Sequence, residues 1–226
     1  MVTFAIMKIG IIIAMSTEYN EMLKLLGGKP EGRIGANTIY LRESGIGKVN
    51  AAIKTVELIN DIHPDCIIST GVAGGIGDDV KVMDIVAGKE AVYHDVWCGD
   101  GNEYGQVQGL PSRFKANDTL YNIAVSTSSD TKVHGGLICS GDYFVGHKEM
   151  DAIKANFPEG LAVEMETGAI AQTCHIYGIP FLSFRIISDT PKEEANYQQY
   201  TDFWGTVSET SFKNISRFLE SLPDKI

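Results

Sequence analysis

The chain has 226 residues, 44% of them hydrophobic, and its 29 acidic against 19 basic side chains give a formal net charge of -10. A chain of this length buries about 70% or more of its unfolded surface and needs no disulfide or metal staple, so one α/β domain over residues 1–226 is expected. The acidic balance excludes nucleic-acid and anionic-membrane binding, which need basic patches, and leaves neutral or cationic small molecules as ligands.

The opening Met1-Val2-Thr3-Phe4-Ala5-Ile6 lacks the charged start and length of a secretory signal and is expected to merge into the first strand. That strand, Ile9-Gly10-Ile11-Ile12-Ile13-Ala14-Met15, is apolar on both faces, as a strand buried centrally in a helix-covered sheet is. Ser16 or Thr17 then caps a helix with Met22, Leu25 and Leu26 as its apolar stripe and Gly27-Gly28 as its end. Glu18 falls in the first turn, where a capping carboxylate and a functional one read alike.

Thr38-Ile39-Tyr40-Leu41 reads as a hairpin-type strand, and the next helix carries Val49, Ala52, Ile53, Val56 and Ile59 at helical spacing before Pro64. Gly45-x-Gly47 ahead of it lacks the third glycine and the following acidic residue of a dinucleotide fingerprint. Cys66-Ile67-Ile68-Ser69-Thr70 is a second buried strand running into Gly71-Val72-Ala73-Gly74-Gly75-Ile76-Gly77. A plain turn needs one or two glycines, so this excess points to backbone that lines a ligand, though not to a P-loop, since no Gly-Lys-Ser/Thr follows.

Residues 80–92 are expected as one long strand, 95–116 as an aperiodic and therefore functional loop, 117–125 as a helix, 133–139 as a strand and 148–157 as a helix. Gly160-Leu161-Ala162-Val163-Glu164-Met165-Glu166-Thr167-Gly168-Ala169-Ile170 begins as a strand and ends as a helix, with the handover at Met165-Glu166. A carboxylate there suits the helix dipole, but two acids one residue apart cannot both be ordinary core. Phe181-Leu182-Ser183-Phe184-Arg185-Ile186-Ile187-Ser188-Asp189-Thr190 is a further strand that delivers an acid as it leaves the sheet. Ligands of α/β sheets bind at the carboxyl ends of strands, so Glu18, Glu166 and Asp189 are expected to converge on one pocket. A polar loop over 190–199 and one amphipathic helix over 202–222, with Phe203, Val207, Phe212, Ile215 and Leu219 inward, complete the chain.

Cys66, Cys98, Cys139 and Cys174 have no C-x-x-C spacing and are read as buried thiols of a reducing cytoplasm. The five histidines form no metal-ligand motif, and no apolar run reaches membrane-span length.

Ala14-Met15-Ser16-Thr17-Glu18, Ser44-Gly45-Ile46-Gly47-Lys48, Thr70-Gly71-Val72-Ala73-Gly74-Gly75, Val163-Glu164-Met165-Glu166 and Arg185-x-x-Ser188-Asp189 occur in this order. Each motif alone is weak, but in register they closely resemble the 5'-methylthioadenosine/S-adenosylhomocysteine nucleosidases of the nucleoside phosphorylase superfamily, from Met7 onward. The resemblance implies a mixed central β-sheet flanked by α-helices, an adenine nucleoside as substrate, and no cofactor. It implies that Asp189 protonates adenine N7 with Ser188 holding its carboxyl group, and that Glu18 is the base or orienter for the attacking water. Glu166 would grip the ribose hydroxyls, Met165 would pack on the sugar, and Met15 and Ile46 would join the substrate-binding set. Phe144 would stack on adenine, the Val145 backbone would read its Watson–Crick edge, and Ala73 and Gly74 would line the purine side. Tyr200 and Phe203 would wall the 5'-substituent pocket, while Leu110 and Pro111 would reach the neighbouring subunit's pocket in a homodimer.

The chain departs from the pattern at Val72, where many relatives have Ser, at Ile13, where many have Gly, and over 190–199, which leaves the 5'-specificity open. The rivals are a purine nucleoside phosphorylase, a 6-amino-6-deoxyfutalosine nucleosidase, and a non-catalytic nucleoside-binding or storage protein. Glu18 on the sugar's far face would repel phosphate, and a storage protein needs none of the three acids.

Overall fold

The computed structural model describes residues 6–206 and 209–226. The element order is β1 (Lys8–Ile13), α1 (Ser16–Leu25), β2 (Glu31–Ile34), β3 (Asn37–Glu43), α2 (Lys48–Ile62), β4 (Cys66–Gly75), β5 (Ile85–Tyr93), β6 (Phe114–Lys115), α3 (Asp118–Ser126) and β7 (Val133–Ser140). It continues through α4 (His147–Asn156), β8 (Gly160–Glu164), α5 (Thr167–Tyr177), β9 (Phe181–Asp189), α6 (Asn196–Thr206) and α7 (Glu209–Glu220). Among the described residues nine strands form one mixed sheet flanked by the helices, as expected.

The sheet also closes on itself. β4 pairs with β9, β9 with β5, β5 with β7, β7 with β8, and β8 returns to the end of β4. β1, β4 and β9 run parallel, so their carboxyl ends share one edge. β8 runs against β4 with Val163 opposite Gly74, which brings Glu164 beside the same stretch of β4. Ile9, Ile11, Ile13, Ile68, Leu182, Phe184 and Ile186 are buried in the largest apolar cluster, against Met22 of α1 and Phe212, Ile215 and Leu219 of α7.

Several expectations change. The cap of α1 is Met15 rather than Ser16 or Thr17, because the Glu18 carboxylate accepts the Met15 N–H at 3.2 Å. The glycine run after Thr70 stays within β4 as far as Gly75, so it permits crowding instead of turning the chain. At Gly71 φ is +136°, and a Cβ there would lie 2.7 Å from the Glu18 carboxylate. β5 begins only at Ile85, because turns at Val80 and Asp84 and a left-handed Met83 (φ 76°) interrupt the alternating pattern. Helix is described over Asn196–Thr206 and Glu209–Glu220, so α6 starts inside the stretch expected as a loop; Val207 lies outside the described residues. The opening segment is likewise outside them up to residue 5.

α2 forms where periodicity places it, but it turns Ala51, Thr55, Leu58 and Ile59 inward. Of the anticipated stripe, Val49 is 69% and Ile53 54% exposed. Cys66, Cys139 and Cys174 are buried and Cys98 is exposed, all four as free thiols.

Candidate active site

A cleft of about 340 Å³ opens where β1, β4, β8 and β9 end. Among the expected residues, Met15, Glu18, Ile46, Ala73, Gly74, Phe144, Val145, Met165, Glu166, Ser188, Asp189 and Tyr200 line it. The three acids therefore do converge. Phe203 does not line the cleft. Three residues beyond Tyr200, it falls about 60° short of a full turn of α6 and is buried in the main core, with its ring edge-on to Trp204. Leu110 packs on the apolar cluster around α5, and Pro111 is exposed, both away from this chain's own cleft.

Glu18 is held at both oxygens by peptide groups. Val72 N–H donates to Oε1 at 2.7 Å and Met15 N–H to Oε2 at 3.2 Å. Val72 thus serves through its backbone. Burial outweighs those donors and pushes the Glu18 carboxyl from 4.5 up to about 7.

Glu166 is the N-cap residue of α5, and its Oε1 accepts the Gly47 N–H at 2.9 Å. In the ligand-free site, burial and the neighbouring Glu164 charge push it up to about 7, against the pull of Arg185. Sugar hydroxyl donors would bring it back down.

Glu164 and Arg185 line the cleft without having been singled out for a role. Arg185 Nη2 lies 2.7 Å from Glu164 Oε2, and both side chains are buried. The same oxygen accepts the N–H groups of Glu166 and Thr167 at 3.0 and 2.8 Å, closing the first turn of α5. Arg185 also donates to Ser69 Oγ at 2.7 Å and Thr167 Oγ1 at 3.1 Å. The legible signal was an arginine inside the apolar run Phe181–Asp189, since a charge is seldom buried unpaired.

At the other end, Ser188 Oγ donates to Asp189 Oδ1 at 2.7 Å and Asn196 Nδ2 to Oδ2 at 3.1 Å. Burial pushes the Asp189 carboxyl up from its ordinary value while these two bonds oppose it. Phe144, 44% exposed, stands over this end with its ring edge-on to Tyr197 and Tyr200. Tyr200 Oη lies 3.3 Å from Met15 Sδ, which ties α6 to the end of β1. Tyr143, also lining the cleft, was another residue that sequence reasoning passed over. Among the described residues no group of three or more His, Cys, Asp or Glu side chains is placed to hold a metal ion.

Chemically, the cleft offers a buried acid at one end and a backbone-anchored carboxylate at the other, with a third carboxylate between elements at the α5 N-terminus. The family model of the phosphorylase superfamily matches residues 8–220. A 5'-methylthioadenosine/S-adenosylhomocysteine nucleosidase of Actinobacillus succinogenes is 38% identical, over 96% of this chain and 100% of that protein. The crystal structure of the Neisseria meningitidis nucleosidase of the same name, in complex with methylthio-immucillin-A, is 36% identical with a TM-score of 0.89, over 96% of this chain and 100% of that one. That of a putative Borrelia burgdorferi counterpart bound to adenine is 35% identical with a TM-score of 0.88, over 95% and 100%.

Proposed function

The chain belongs to the phosphorylase superfamily, among its 5'-methylthioadenosine/S-adenosylhomocysteine nucleosidases, and on that premise we propose that it hydrolyses the N-glycosidic bond of these two nucleosides. The observation that carries the reading is the pairing of a buried Asp189, its carboxyl pushed upward, with a Glu18 carboxylate locked by two peptide N–H groups in the same cleft. Breaking the bond from C1' to N9 leaves an oxocarbenium-like sugar and an anionic base unless the base is protonated. Asp189 gives its proton to adenine N7 as the bonding pair moves onto the purine. Glu18 accepts a proton from water as that water adds to C1', the division of labour of inverting glycosidases. Glu166, on the ribose hydroxyls, favours the growing positive charge electrostatically. The products are adenine and a free thioribose, and the retained sulfur suits a role in methionine salvage.

The cation in the cleft does not favour a phosphorylase, since Arg185 is already paired to Glu164. The test is chromatography of products from methylthioadenosine, adenosylhomocysteine and adenosine, with and without phosphate. Adenine and 5-methylthioribose in phosphate-free buffer are expected; strict phosphate dependence with a sugar 1-phosphate would overturn the reading.

The same reading takes the chain as one domain and as a cytoplasmic homodimer, with Leu110 and Pro111 of the 95–116 loop bordering the partner's cleft. Support comes from the outward apolar residues Ile46, Val49 and Ile53 beside α2, with Trp97 and Ile176, all exposed in the single chain. The unpaired cysteines suit a reducing compartment. Sedimentation at micromolar concentration should give a dimer; a fully active monomer would refute this.

A further inference from the structure

Asn196 opens α6 at the end of a polar stretch, where a carboxamide is ordinarily solvated. Here it is only 4% exposed. Its Nδ2 donates to the Val145 carbonyl at 3.1 Å and to Asp189 Oδ2 at 3.1 Å. One amino group thus ties the segment before α4 to the end of β9. A primary amide has two N–H donors, and both are spent on these oxygens. Each oxygen has further lone-pair capacity, so each can still accept one bond from a ligand. On the nucleosidase reading these two oxygens face one chemical group, the adenine 6-amino group. Val145 reads the Watson–Crick edge, and the second oxygen of Asp189 accepts from the amine.

We propose that Asn196 is a positioning residue that holds the Val145 carbonyl and the Asp189 carboxylate at the spacing a 6-aminopurine bridges, and so sets base selection. The inference rests on the nucleosidase reading, which supplies the ligand of the two acceptors. A purine with a 6-oxo group presents an acceptor to both oxygens and leaves them unpaired on that side. Without the carboxamide the acceptors lose their common tether, and discrimination between the two bases narrows.

A second consequence follows for protonation. The Asn196 bond favours the ionised carboxylate of Asp189, as the Ser188 bond does, against burial. Its removal keeps Asp189 protonated to higher pH. The other titratable or charged groups around the cleft are Glu18 of α1, Glu164 and Glu166 at the β8–α5 junction, Arg185 of β9, Tyr143 before α4 and Tyr200 of α6. His147 of α4 is bonded to the Pro191 carbonyl nearby, at 3.2 Å. A substitution at Asn196 removes none of these groups.

The experiment compares the parent with Asn196→Leu and Asn196→Gln. Adenine and hypoxanthine binding are measured by calorimetry from pH 5.5 to 9, alongside kcat and KM for methylthioadenosine. Asn196→Leu should lose about 10-fold or more in adenine affinity, narrow the adenine-to-hypoxanthine ratio, and move the high-pH loss of adenine binding upward. Asn196→Gln, which keeps the carboxamide, should recover part of each. If Asn196→Leu does not fold, Asn196→Ser carries the same expectations. A variant with altered rate but unchanged base ratio and pH dependence would overturn the proposal, since a merely structural role predicts that result. A parent that binds adenine but releases none from methylthioadenosine overturns the nucleosidase reading alone, and the binding series then still decides the role of Asn196. A parent that binds neither base overturns both.

Discussion

At the Glu18–Glu166 end of the cleft, carboxylates rest on peptide N–H groups and a buried arginine, whereas at the other end Asp189 rests on a hydroxyl and a carboxamide. Peptide donors are fixed by the strands and helix starts that carry them, so they hold an ionised carboxylate in one orientation and cannot follow a proton. A hydroxyl is a rotor that donates to a carboxylate and accepts from a carboxylic acid. Ser188 Oγ has a second acceptor ready in the Ala73 carbonyl at 3.3 Å. The contrast separates an end whose carboxylates are held in one orientation by fixed donors from an end whose acid has a hydroxyl partner that can turn to follow its proton.

The largest expected effects test that division directly. Asp189→Asn and Glu18→Gln should each lower turnover of methylthioadenosine at least about 10²-fold in steady-state assays. Adenine affinity should fall in the first and hold in the second, because in the proposed mechanism Asp189 meets the base and Glu18 the water. Turnover by Asp189→Asn within a few-fold of the parent would mean that another group is the acid.

Next in size, Arg185→Leu leaves Glu164 buried without its cation and should cost about 3–5 kcal/mol of folding stability by denaturant titration. The Ser188→Ala change at the other end removes one hydroxyl bond and should cost only about 1–2 kcal/mol. Equal shifts in the two denaturation midpoints would erase the distinction between the ends.

The pH dependence of stability has a definite sign. Glu18 in the unfolded chain titrates near 4.5, and in the folded, ligand-free protein near 7. Between those values the folded state binds more protons, so the stabilisation is fully present below about 4.5 and is lost as pH rises through about 7. Glu166, also near 7, acts in the same direction, as does the raised Asp189. Melting temperature of the ligand-free protein should fall from pH 5 to 8.5, with a loss of folding free energy on the order of 3 kcal/mol from Glu18, and Glu18→Gln should flatten the curve. A rising melting temperature over this range would contradict the assignment.

On folding stability the smallest effect belongs to Phe144→Ala. Losing the ring that the proposed reading stacks on adenine should cost about 1–3 kcal/mol in adenine affinity by calorimetry, with thermal stability near that of the parent because the ring is half exposed.

Much of this arrangement was legible in the chain. β1 and β4 read as central strands because their residues are apolar on both faces, and Glu18, Glu166 and Asp189 stood out because each follows a strand end. Tyr200 and Phe203 show the limit of that reading. Both are aromatic on one helix, yet one lines the cleft and the other fills the core, a choice made by how α6 lies on β9.

Periodicity determined the kind of each element, since apolar spacing is a property of about ten neighbouring residues. The tertiary structure decided which face of α2 turns inward and who partners the buried charges. Arg185 meets Glu164 across 21 residues, and Asn196 meets Val145 across 51. Neither partner can be chosen until the closed ring of strands brings the chain segments together, and no local pattern encodes that closure.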